Sequence, residues 1–253
     1  MIKITFMGAG STVFLRNVLG DCIYTDALKG MEIALYDIDG QRLEQSAAIL
    51  EAINKGNGCP ASIRSYLGAE NRRKALSGAD FVINAIQVGG YDPCTITDFE
   101  IPKKYGLRQT IGDTLGIGGI MRALRTIPVL EDFARDMEAV CPNAWFMNYT
   151  NPMSMLTGYM LRYTGVKTLG LCHSVQTCSK TLMDAIGMSD RLEGRRELIA
   201  GINHMGWLYG VQRTQRRIQP ILYQGALSGA DRPLQHPTGR VSPPLHPADC
   251  RVG

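Results

Sequence analysis

Four short apolar runs, each followed by a helical or polar segment, fill the first ninety residues, and this alternation constrains the fold more than any other feature. IKITFM (2–7) is β-prone and ends in MGAGST; VFLRNVLGDCIY then repeats with helical period. EIALYDID follows as a second strand whose apolar run stops at Asp37, and QRLEQSAAILEAINKG (41–56) reads as an amphipathic helix ended by Gly56. SIRSYLG is a third strand, a short polar helix comes next, and DFVINAIQVGG (80–90) is a fourth strand ending in a glycine-bearing loop. Strands alternating with helices imply a parallel sheet with helices on both faces. The expected fold is therefore α/β, a Rossmann-like doubly wound and mostly parallel sheet. The start of a second, α+β substrate domain follows it.

Further along, QTIGDTLGIGG (109–119) is glycine-rich and polar and reads as a loop. TDFEIPKKYGL looks like a helix interrupted near Pro102, and residues 122–140 form a long helical pattern carrying Pro128. AWFMNYTNP runs from a strand into a polar turn, LGLCHSVQ (169–176) from a strand into a helix, and RELIAGINHM reads as a strand. The expected domains are 1–190 for dinucleotide binding, 191–206 for the beginning of the substrate domain and 207–253 for an aberrant or disordered tail. From Trp207 onward there is no Lys or Glu, and six of the 12 prolines lie from Pro220 onward, so little packed core is expected there. Two readings of that tail stand side by side: a natural proline-rich end, and translation out of frame or another truncation.

In a parallel sheet, ligands bind outside the carboxyl ends of the strands. Gly8-Ala9-Gly10-Ser11 sits at the end of the first strand, where Gly8 permits a tight turn and Gly10 lets the backbone approach a pyrophosphate. Ser11 and Thr12 open the following helix. The third glycine of the usual fingerprint is replaced by Val13. Asp37, at the end of the second strand, can accept from both ribose hydroxyls, which favours NAD over its phosphorylated form. Cys172 and His204 each lie at an expected strand end; they read either as a metal pair or as a buried thiol with a hydrogen-bonded core imidazole. Asn148 offers an amide to sugar hydroxyls. Asp113 reads either as a hydroxyl-orienting carboxylate or as a helix cap before Leu115-Gly116.

The composition limits the partners. The net charge of +4 is mild, and no basic stripe interleaved with aromatics suggests nucleic acid. No run of apolar residues is long enough to span a membrane, and no leader pattern opens the chain. Seven cysteines, an odd number with no CxxC pair, point to a reducing, cytoplasmic compartment.

Taken together, MGAGSTVFLRN, the strand end at Asp37, NAIQVGGYDPCTITDFEIPKKYGLRQTIGDTLGIGGIMRALRTIPV, NYTNPM, LGLCHSVQ and GINHM resemble glycoside hydrolase family four, most closely its α-galactosidase (melibiase) branch. The resemblance runs from Met1 to about Trp207. Most glycosidases work with two carboxylates, and this NAD-dependent family is an exception. The resemblance implies hydrolysis of α-galactosides by redox and elimination. Bound NAD+ takes hydride from sugar C3, a divalent metal, usually Mn2+, supports the C2 and C3 oxygens, and a base removes the C2 proton. It implies cofactor contacts for Gly8, Gly10, Ser11 and Asp37, a sugar contact for Asn148, and metal ligation by Cys172 and His204; Thr12 joins the cofactor candidates and Asp113 the sugar-binding ones. His173 stands where phospho-glycosidase members carry an acid-catalyst Asp. The family's base is a tyrosine beyond the matched region, and neither Tyr209 nor Tyr223 is assigned to it. The expectation is therefore an impaired enzyme whose full-length relatives form homo-oligomers. The rivals are an NAD-dependent hydroxy-acid dehydrogenase, which needs no metal, and a non-catalytic NAD-binding remnant.

Overall fold

The computed structural model describes residues 1–58, 61–109, 111–189 and 194–213, with four two-residue strands at 216–217, 234–235, 241–242 and 251–252. The chain divides into two compact units, Met1–Leu171 and Cys172–Gly253. The sequence-based boundary at 190/191 lies later, because it assigns the helix after Cys172 to the first domain. The contacts group that helix with the second unit.

The first unit is a six-stranded sheet of β1 (Lys3–Met7), β2 (Glu32–Asp37), β3 (Ser62–Leu67), β4 (Phe81–Asn84), β5 (Trp145–Asn148) and β6 (Lys167–Gly170). Every neighbouring pair is parallel and the order is β3-β2-β1-β4-β5-β6. This is the doubly wound order whose direction of winding reverses between β1 and β4, where a crevice opens at the carboxyl ends. The helices are α1 (Thr12–Tyr24), α2 (Gly40–Gly56), α3 (Arg72–Leu76), α4 (Ile96–Lys104), α5 (Gly116–Val140) and α6 (Met153–Tyr163).

Alternation along the strands explains the two cores. Phe6 and Ile83 face a cluster with Leu15, Leu19, Leu35 and Leu50, under α1 and α2. Their neighbours Met7 and Val82 face the other cluster, with Leu76, Leu130, Phe133, Phe146 and Met160 from the α3, α5 and α6 side. A period of two buries both faces of a sheet that carries helices on each side.

Two expectations change here. β4 ends at Asn84, so the loop expected at the glycine end of the run begins earlier, and it leads into a short π-type turn, Gly90–Thr95. The glycine run read as a loop is partly helix, since α5 begins at Gly116. A Cβ at Gly118 would stand 2.2 Å from the Gly112 carbonyl oxygen and 2.6 Å from that of Asp98. Close packing, rather than irregular backbone, accounts for that glycine. Pro102 and Pro128 lie within α4 and α5. Pro128 removes the donor to the Leu124 carbonyl, and Leu124 is on the exposed side, where water can serve it.

The second unit opens with α7 (Ser174–Ala185), followed by the antiparallel pair β7 (Arg195–Ile202) and β8 (Met205–Arg213). Met183, Met188 and Val211 form its small core. β8 thus carries the fold into the stretch that composition assigns to the tail. Val211 is fully buried there, so a pairing strand overrides the composition. Most of the tail beyond residue 213 lies outside the described residues. Among the described residues, no helix is long and apolar enough to cross a membrane.

Candidate functional site

The glycine turn joins β1 to α1. Gly8 has φ +87°, and a Cβ there would meet the Ala85 carbonyl carbon and oxygen at 2.8 Å. No other residue fits this position, because the turn is pressed against the chain leaving β4. The amides of Gly8 and Ala9 both donate to the Tyr36 carbonyl at 3.0 Å, so the turn hangs from the end of β2. Ser11 occupies the N-cap position of α1 without a side-chain cap bond, and no acidic residue lies in the first turn. Helix-start amides lack intrahelical partners by construction and carry the positive end of the dipole. The dipole end of a helix start with no capping side chain and no acidic residue of its own suits an anion, although the amides of Ser11 and Thr12 donate back to the carbonyls of Gly8 and Gly10 at 3.1 and 3.0 Å. Thr12 Oγ1 is turned inward, accepting from Ser46 Oγ at 3.3 Å. Val13, at the third glycine position of the fingerprint, is 65% exposed, so its bulk obstructs nothing.

Asp37 does more than its position at the end of β2 suggests. Its Oδ2 accepts from the Gly10 amide at 2.5 Å, and its Oδ1 accepts from the amides of Ile38 and Asp39 at 2.8 and 2.9 Å. An ionised carboxylate has about four acceptor sites. One remains for a ribose hydroxyl while three brace the turn.

A second cluster lies along the ends of β4 and β5. Asn148 is fully buried. Its Oδ1 accepts from Asn84 Nδ2 at 2.9 Å and from the Thr150 amide at 3.1 Å, while its Nδ2 donates to the Thr150 carbonyl and to Thr157 Oγ1. The amide expected to grip a sugar is thus spent inside the protein in this conformation. Asn151, three residues on, is only half-buried and is joined to Pro152 by a cis bond. Asn84 keeps its Oδ1 buried without a partner.

Asp113 pairs with Arg122, whose Nη1 donates to Oδ2 at 3.2 Å. The cap reading fails, because α5 starts after Leu115 with no side-chain cap bond. Arg122 Nε also donates to the Asn151 carbonyl at 3.1 Å. One turn on, Arg125 donates to the Val88 carbonyl and, through two nitrogens, to Asp98. Burial pushes the Arg122 guanidinium below its ordinary value, and Asp113 pulls the other way. These two arginines of α5 tie together the segments that leave β4 and β5. Sequence reading passed over them, although their spacing of three on a helix was visible.

In the second unit, Cys172 Sγ lies 3.7 Å from His204 Nε2. His204 is not on a strand: with Asn203 it forms the two-residue turn between β7 and β8, at φ +60°. It is the one non-glycine residue with positive φ among the described residues. Histidine tolerates that region better than most, but strained backbone of this kind gathers at functional sites. Metal–sulfur and metal–nitrogen bonds of roughly 2.3 and 2.1 Å at a tetrahedral angle would separate the donors by about 3.6 Å. The observed spacing therefore fits two ligands of one ion. Among the described residues, no group of three or more His, Cys, Asp or Glu residues forms such a site. His173, the residue before α7, is exposed. Ser174, which sequence reading also missed, has its Oγ 3.0 Å from Cys172 Sγ.

Comparisons with known proteins place the chain in a family. The model of the family 4 glycosyl hydrolases matches residues 3–188. An α-galactosidase of Bacillus subtilis (strain 168) is 60% identical over 226 residues, which is 89% of this chain and 51% of that protein. The crystal structure of lplD, a Bacillus subtilis protein described as a glucosidase, superposes with a TM-score of 0.77 at 30% identity, over 94% of this chain and 54% of the other. A 6-phospho-α-glucosidase from gut microorganisms, in complex with NAD and Mn2+, shares the fold with a TM-score of 0.77 at 20% identity, over 90% of this chain and 51% of that one. The chain spans about half the length of these relatives. A match that begins within β1 and ends beyond α7 leaves one conclusion: the chain belongs to the family 4 glycosyl hydrolases.

Proposed function

We propose that this protein is an NAD- and divalent-metal-dependent glycosidase acting on α-galactosides. The observation that carries the reading is the Cys172–His204 pair, 3.7 Å apart with His204 on a strained turn. A hydroxy-acid dehydrogenase of the same fold has no use for such a pair. The 60% identity to an α-galactosidase supports the choice of sugar, and a fold neighbour in complex with NAD and Mn2+ supports the choice of cofactors.

When bound, NAD+ supplies a hydride acceptor and the metal a Lewis acid for the sugar oxygens. The residues of the chain do the rest. Gly8 and Gly10 would bring backbone close to the pyrophosphate, and the start of α1, at Ser11 and Thr12, would present the positive end of its dipole to it, the two amides themselves donating to the Gly8 and Gly10 carbonyls. Asp37 accepts from the ribose. Cys172 and His204 would hold the ion. Asp113, paired with Arg122, accepts from a sugar hydroxyl, and Asn151 takes the amide role that buried Asn148 is too enclosed to fill directly. Asn148 then acts by fixing the backbone at Thr150. His173 is exposed beside the metal ligand and serves as proton donor to the departing group.

Ligand binding is the direct test, since the chain covers 51% of its relative. Titration calorimetry with methyl α-galactoside should show saturable binding only when NAD+ and Mn2+ are both present. Methyl α-glucoside should bind more weakly. Equal heats with and without NAD+ and Mn2+ would remove the proposal.

A further inference from the structure

We propose that Ser174 sets the metal preference of the Cys172–His204 pair by donating two hydrogen bonds to the sulfur. This rests on the metal reading above and extends it to a residue outside the ligand pair. Ser174 Oγ lies 3.0 Å from Cys172 Sγ, and the Ser174 backbone amide donates to the same sulfur at 3.4 Å. The thiolate is the ligating form, and it has no proton to give, so the hydroxyl must be the donor. Both donors belong to the first residue of α7, so the helix backbone fixes one relative to the other. No side chain caps this helix start, and the hydroxyl goes to the sulfur instead.

The consequence concerns the kind of ion held. A bare thiolate favours soft or borderline ions such as Cu(I) and zinc, whereas manganese suits oxygen donors. Hydrogen bonds to a ligating sulfur draw on the lone pairs that the metal would share. They weaken covalent donation more than they weaken plain charge attraction. A zinc ion, which gains more from covalency with sulfur, loses more than a manganese ion does. Ser174 therefore moves the pair toward harder ions without adding a ligand. Partners of a ligand in its outer shell typically change metal affinity by 10–100-fold.

The test compares the wild-type chain with Ser174→Ala and Ser174→Thr, each checked for fold by circular dichroism. Mn2+ and Zn2+ are titrated in competition at one pH, and Co2+ serves as a spectroscopic probe. Ser174→Ala should lower the Mn2+-to-Zn2+ affinity ratio about tenfold or more. It should also shift the thiolate-to-cobalt charge-transfer band to longer wavelength, because the sulfur lone pairs rise in energy. Ser174→Thr keeps the hydroxyl and should keep both the ratio and the band. An unchanged ratio and band in Ser174→Ala overturns the proposal, as does a threonine variant that behaves like the alanine one. If the wild-type chain shows no thiolate-to-cobalt band, the metal reading itself fails and this inference falls with it. A wild-type band that Ser174→Ala leaves in place removes the Ser174 role alone.

Discussion

Asp37 braces the fold and, in the proposed function, also serves the ligand. Three of its hydrogen bonds are internal and go to the amides of Gly10, Ile38 and Asp39. Removing the carboxylate takes away both the proposed ribose acceptor and the brace that shapes the turn. Asp37→Ala should therefore weaken NAD+ by more than the roughly 1.5–3 kcal/mol of one charge-assisted bond. Asp37→Asn, which keeps one acceptor oxygen, should fall between alanine and wild type. Titration with NADH by fluorescence would show this, and an alanine variant with wild-type affinity would exclude Asp37 from the cofactor site. Asp37 was legible in the sequence as the end of an apolar run. Its bond to Gly10 was not, because that contact spans 27 residues and depends on β1 and β2 lying side by side. Asn148 is the opposite case. Its place at a strand end was legible, but its enclosure depends on Asn84 and Thr150 meeting it from a neighbouring strand and the next loop. No local pattern records that.

Among the helices, α3 and α5 are joined by a charge cluster that predicts an acid response. Arg72 and Arg73 donate to the two oxygens of Asp136 at 2.6 and 2.7 Å, and the Arg72 guanidinium also lies 5.2 Å from the centre of the Phe133 ring. Burial pushes Asp136 upward, but the hydrogen bonds from Arg73 and Arg72 outweigh it and hold the carboxyl below its ordinary 3.8. A carboxyl depressed in the folded state adds stability above its unfolded value, and that stability is lost as pH falls through the folded value. Asp136→Asn should lose about 2 kcal/mol at neutral pH. The gap to wild type should close as pH falls below 3.8. Denaturant melts at pH 7 and at about pH 3 measure both; a gap that persists in acid would mean that Asp136 acts through packing. The elements up to β4 could be read from the sequence because each alternates or repeats within its own span. The start of α5 could not, because its glycines look like a loop until the carbonyls of Gly112 and Asp98 are placed against them. The turn at His204 was hidden for a related reason: apolar residues run through β7 and β8 on both sides of it, and only their antiparallel pairing reveals the reversal.

Across the whole chain, the glycine turn and Asp37 belong to one compact unit, and Cys172 and His204 to the other. Cofactor binding should accordingly survive loss of the metal pair. Cys172→Ser with His204→Ala should bind NAD+ within about twofold of wild type, a difference of about 0.4 kcal/mol. A larger loss, read by the same fluorescence titration, would show that the ligands of the ion also support the cofactor turn. The strand order β3-β2-β1-β4-β5-β6 has a consequence for how the chain is made. Protein domains are completed from the N-terminus as the ribosome releases them. β2 emerges to find the edge of β1 open, and β3 finds that of β2. β4 then returns to the still vacant side of β1, and β5 and β6 extend the sheet outward in turn. Every strand after β1 meets a partner already synthesised, so the sheet can be assembled in the order of synthesis and its glycine turn shaped before Cys172 has left the tunnel.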